Sequence, residues 1–144
     1  MKFIASILVL FMLLPMGIKA QFACSGLDRV DIYLNNKLIA TSTFADAPAI
    51  KLGLQVKTDT IMLHAYTNWD GLRNSTLDVK DETGELMDHI NSSNNTGYEA
   101  VFTYIFNRAE IDDPDLKSFD MLINLLCERT VETEQITTFN LMAK

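Results

Sequence analysis

The sequence predicts an all-β protein carried behind an export signal. Apolar and polar residues alternate with a period of 2 through most of the chain, the mark of half-buried strands. Asn, Asp and Gly turn signals punctuate that alternation every ~8–14 residues, the spacing of sandwiches and barrels. The chain has 144 residues, 48% of them hydrophobic, and 2 Cys. That is one domain's worth of chain, too apolar for disorder and too poor in cysteine for a disulfide-dense miniprotein.

The chain opens with Lys2, an apolar run from Phe3 to Leu14, and the small residue Ala20. This is the order of a secretory signal peptide: basic start, apolar core, cleavage site. The run is well short of the ~20 residues that cross a bilayer. Cleavage after Ala20 is therefore expected, leaving a mature domain from Gln21 to Lys144 that is secreted or periplasmic, with no transmembrane segment. Lipid anchoring is the less favoured fate. Gln21-Phe22-Ala23 before Cys24 does not fit the Leu-small-small pattern that lipid attachment would require there.

The strands follow in order. Val30, Ile32 and Leu34 alternate with Asp31 and Tyr33. Asn35-Asn36 tolerates the left-handed backbone of a tight turn, and Lys37 to Phe44 returns as the second arm of a hairpin. Ile50, Leu52, Leu54 and Val56 alternate with polar neighbours. Thr60 to Thr67 is a fourth strand, followed by a loop from Asn68 to Asn74. Thr76 to Lys80 and Glu85 to Ile90 flank a turn at Asp81 to Gly84. Asn91 to Gly97 is wholly polar and reads as an exposed loop. Tyr98, Ala100, Phe102, Tyr104 and Phe106 share one face of a strong strand.

Pro114 to Glu128 fits two periods. Leu116, Phe119, Leu122, Ile123 and Leu126 would line a helix. Phe119, Met121, Ile123, Leu125 and Cys127 would line one face of a strand. The strand reading is preferred because the neighbouring elements are strands that need partners. Thr130 to Gln135 is expected to be an exposed connection, and Ile136 to Met142 the last strand. The sum is an antiparallel β-sandwich of about eight strands, immunoglobulin-like or related.

Cys24 and Cys127 are the only cysteines, and an oxidising compartment would allow them to pair. Asn74, Asn91 and Asn94 each begin an Asn-x-Ser/Thr triplet, a glycan acceptor only in a eukaryotic secretory pathway.

The formal net charge of −7 argues against a phosphate-neutralising surface, so no nucleic-acid partner is expected. Removing the leader takes away Lys2 and Lys19 but no acidic residue, so the mature chain is more acidic still. His64 and His89 are the only histidines, and neither belongs to a metal-ligand spacing. No nucleophile elbow or phosphate-binding glycine loop occurs. Asp112, Asp113 and Asp115 cluster, but no calcium-loop glycine or closing Glu follows, so they read as a solvated turn. No metal, cofactor or catalytic residue is assigned.

The most suggestive surface segment is Tyr66, Asn68, Trp69, Asp70 and Arg73. It holds the only Trp, among polar groups, where an exposed indole could stack on a sugar or a partner side chain. The competing role for Trp69 is to fold back over the end of the core. The expected function is a small exported, non-enzymatic binding or structural module with an unidentified protein or carbohydrate partner. A carrier of an apolar ligand held between the sheets, or a small hydrolase, are the alternatives.

Overall fold

The computed structural model describes residues 26–43, 47–53, 58–111, 113–127 and 130–142. The signal segment, Cys24, Leu54, Val56 and Asp112 lie outside the described residues, as does the side chain of Cys127.

Ten strands among the described residues form two packed sheets. They are β1 (Arg29–Leu34), β2 (Lys37–Thr43), β3 (Ala49–Gly53), β4 (Asp59–Tyr66) and β5 (Thr76–Asp81). Then follow β6 (Leu86–Asn91), β7 (Asn94–Asn95), β8 (Glu99–Phe106), β9 (Ser118–Cys127) and β10 (Thr130–Met142). One sheet runs β2-β1-β4-β8-β7 and the other β3-β10-β9-β5-β6. The described helical content is one 3₁₀ turn, Arg108–Glu110. Among the described residues no helix is long and apolar enough to cross a membrane.

The alternation in sequence becomes the inner faces of the two sheets. Val30, Ile32, Ile61, Leu63, Ala65, Ala100, Phe102 and Phe106 are buried from the first sheet. Leu77, Val79, Phe119, Met121, Ile123, Leu125 and Phe139 are buried from the second. Phe119 is the hub. It stacks on Phe106 at 5.3 Å and on Phe139 at 5.2 Å, and meets Tyr104 edge-on at 5.9 Å. These offset and edge arrangements suit the ring quadrupoles. The β1–β2 turn forms as its residues dictate, with Asn35 at φ 50° and Asn36 at φ 68°.

Four details depart from the expected antiparallel sandwich. β3 pairs in parallel with β10, Thr138 opposite Ala49, so the architecture is not purely antiparallel. Period-2 alternation reports which face is buried, not strand direction. Thr130 to Gln135 is not a connection but the first half of the 13-residue β10, paired with β9 from Thr130 opposite Cys127. Thr133 and Gln135 sit on the wet face of a hairpin, where polar residues are as compatible with a strand as with a loop. A register shift between Gln135 and Thr137 leaves both Ile136 and Thr137 buried, which hid the strand's periodicity. The polar loop before β8 contributes the two-residue β7, and Tyr98 is exposed rather than continuing the inner face of β8.

Topology then positions the candidate site. β6 is the edge of one sheet. Among the described residues β7 pairs with the outer side of β8 at Ala100 and Val101 and no strand pairs with its last residues, which form an edge of the other sheet. The connection from β8 to β9 crosses between the sheets beside these two edges.

Candidate functional site

A cleft of about 410 Å³ opens at that crossing. That lies within the usual range of ligand clefts, ~300–1,000 Å³. One wall is the β5–β6 hairpin, with Asp81, Glu85, Leu86, Met87 and Asp88. The other is the end of β8 and the connection after it, with Tyr104, Ile105, Asn107, Glu110, Ile111, Asp113 and Leu116. Among the described residues five carboxylates line it, and no Lys, Arg or His does.

Each wall follows from its sequence. Gly84 takes φ +85° at the hairpin turn. The Asp81 carboxylate holds that turn by accepting from the Thr83 and Glu85 backbone N–H groups, each at 2.9 Å, and from the Thr83 hydroxyl at 2.6 Å. The Thr83 hydroxyl is the main cause that lowers the Asp81 pKa; slight burial opposes it and the backbone N–H groups add to it. Asp88 lies opposite Val79 and two residues before the partly buried Ile90, on the core-facing side of an edge strand. An inward charge there blunts the edge against further pairing, and it places a carboxylate at the gap between the sheets.

On the opposite wall, the Asn107 side chain caps the 3₁₀ turn by accepting from the Ala109 N–H at 3.1 Å. Arg108 donates to the backbone carbonyls of Asp113, at 3.1 Å, and Pro114. The Arg108 guanidinium thus braces the connection rather than facing the carboxylates. Leu86 is 52% exposed and Ile105 is 61% exposed, so the rim also offers apolar surface.

Tyr104 lies between these walls. It is only 7% exposed, yet among the described residues its hydroxyl has no hydrogen-bond partner. A buried tyrosine normally satisfies its hydroxyl. Its oxygen is absent from the fully enclosed unpartnered atoms, so it opens onto the cleft it lines. Burial, with the Asp88 charge adding to it, pushes its pKa up to about 12. The group is therefore a neutral hydroxyl that can both donate and accept.

The structure distributes the residues singled out in sequence over two other places. Trp69 packs against the core, and its indole N–H donates to the Gly26 carbonyl at 2.8 Å. Its ring lies so close over Gly71 that a Cβ there would sit 2.2 Å from ring carbons. Asp70 and Arg73 pair with each other through two hydrogen bonds, at 3.2 and 3.1 Å, and Asn68 is exposed. Tyr66 belongs instead to the outer face of the first sheet. It stacks on His64 at 4.3 Å, its hydroxyl is 3.0 Å from His64 Nδ1, and Arg29 covers its ring at 4.3 Å. His64 Nε2 lies 3.4 Å from Glu99.

His89 occupies the outer face of the other sheet, 2.5 Å from Asp78. Burial works to raise the Asp78 pKa, but bonds from Asn124 and His89, with the nearby His89 and Lys80 charges, outweigh it and hold the carboxyl low. Among the described residues no group of acidic, His or Cys side chains is arranged to hold a metal ion.

Sequence reasoning missed the cleft because its walls are far apart in the chain. Asp113 and its neighbours have the local pattern of a solvated turn, and nothing in it joins them to the 81–88 hairpin. The available signal was an excess of acid at both turns together with exposed Leu86 and Ile105.

No protein-family model, curated protein or solved structure matches the chain. The functional reading therefore rests on the chain's own geometry.

Proposed function

We propose that this protein is an exported, non-enzymatic binding module whose cleft takes a cationic ligand with an apolar stem. The observation that carries this reading is the cleft itself: five carboxylates, no basic side chain in the lining, and apolar residues beside them. An exposed ion pair contributes only about 0–1 kcal/mol. Affinity then has to come from several carboxylates acting on one cation while Leu86, Ile105 and Ile111 cover its stem. Burying one methylene contributes roughly 0.8 kcal/mol. The carrier alternative gains no support, because Phe102, Phe106, Phe119 and Phe139 fill the space between the sheets.

Export and the start of the mature domain at residue 21 rest on the leader pattern, while the reading of 21–144 as one immunoglobulin-like or related sandwich rests on the strand alternation and the two packed sheets. The Cys24–Cys127 disulfide rests on the same compartment.

Calorimetry with 1,5-diaminopentane tests the cleft. The diamine should bind, more weakly at high salt, while the uncharged 1,5-pentanediol should not. The triple variant Glu85→Gln, Asp88→Asn, Glu110→Gln should lose diamine binding while keeping the wild-type circular dichroism spectrum. Equal binding of diamine and diol, or full binding by the triple variant, would overturn the reading.

A further inference from the structure

The two edges beside the cleft are built differently. β6 carries the Asp88 carboxylate, the charged protection usual for an edge strand. The end of β8, Thr103 to Phe106, carries no charge. In β8 the even-numbered residues face β4, as shown by the Thr67 N–H donating to the Tyr98 carbonyl at 2.9 Å. The odd-numbered ones face away: the Glu99 carbonyl accepts from Thr96 at 3.1 Å and the Val101 carbonyl from Ser93 at 2.9 Å. By the same alternation, the N–H and C=O groups of Thr103 and Ile105 point to the side where no strand lies among the described residues. Two residues of strand separate them by about 6.6 Å, the repeat at which an added strand bonds.

We infer that the occupant of the cleft is an extended basic peptide that adds as a strand to the free edge of β8 and sends Lys or Arg side chains into the cleft. The inference rests on the cationic-ligand reading and specifies it. Main-chain bonds to an exposed edge supply affinity, and alternate side chains supply selectivity. On such a strand every second side chain turns toward the inner side, where Asp88, Glu85 and Glu110 lie. The unpartnered Tyr104 hydroxyl meets it there, able to accept from an ammonium or guanidinium group. The intervening side chains lie on the outer face beside Ile105. A second copy of this chain is the poorer occupant, since an acidic protein repels itself.

The test uses three probes on the purified protein: acetyl-Lys-Val-Lys-Thr-Lys-Val-amide, the same peptide N-methylated at alternate residues, and 1,5-diaminopentane. N-methylation keeps the charge and removes the edge-facing donors. The unmodified peptide should bind and slow amide exchange at Thr103 and Ile105, and the N-methylated peptide should bind about tenfold more weakly or worse. Equal binding of the two peptides, or binding of the diamine alone, would overturn strand addition and leave the cationic cleft standing. Binding of none of the three would overturn both. A dimer joined through this edge and not dispersed by the peptide would assign the edge to a second copy and overturn the inference.

Discussion

Gly71→Ala probes the one aromatic that sequence reasoning offered as a binding platform. A Cβ at this position would lie 2.2 Å from Trp69 Cη2 and Cζ2 and 2.6 Å from Cε2. Contacts that short cannot persist, so the indole must move. Moving it withdraws Trp69 from its core contacts and breaks the 2.8 Å bond to the Gly26 carbonyl. Overpacking costs about 1–3 kcal/mol and a lost hydrogen bond about 0.5–1.5 kcal/mol. A destabilisation of roughly 2–4 kcal/mol is expected, a large share of a typical ~5–15 kcal/mol. Urea unfolding by circular dichroism measures it. Trp69 is the only tryptophan, so its fluorescence reports the displacement without interference. The emission maximum of the folded variant should shift red. Unchanged emission with unchanged stability would refute the docked indole and return Trp69 to the surface as a stacking platform.

Phe119→Ala removes the ring on which Phe106, Phe139 and Tyr104 converge, and should cost about 3–5 kcal/mol by denaturant unfolding. Asp81→Asn should lower the melting temperature at neutral pH. The folded pKa of Asp81 is depressed, so its contribution is present above the unfolded value near ~3.9 and is lost as pH falls through the lower folded value; wild type and variant should converge in melts taken down that range. A free-thiol assay on unfolded, unreduced protein should find neither Cys24 nor Cys127 reactive, and reduction should lower the melting temperature; two reactive thiols per chain would mean no bridge.

Local chemistry made the strands legible. Asn35-Asn36 forms the left-handed turn it implied, and Phe119, Met121, Ile123 and Leu125 show that the strand period governs that segment. There the helix stripe loses because its Leu122 and Leu126 lie on the outer side of β9. Ile136 and Thr137 show the limit: a bulge breaks the period, and half of a long strand then looks like a loop. The β3–β10 pairing is parallel because of where the chain crosses between sheets, which alternation does not encode. The cleft was illegible for a related reason. Asp88 acquires its meaning only when the end of β8 and the Glu110 to Leu116 connection are brought beside β6. Trp69 stood out by composition, yet its surroundings depend on Gly26, more than 40 residues earlier.

Amide-resolved NMR titration with 1,5-diaminopentane reads cation binding by the acidic cleft residue by residue. Saturable shifts concentrated in residues 81–88 and 104–116 and reduced by salt are expected, with the Trp69 loop and the His64–Tyr66 face unmoved. Saturable shifts centred on Trp69 or on His64, or no saturable shift at all, would contradict it.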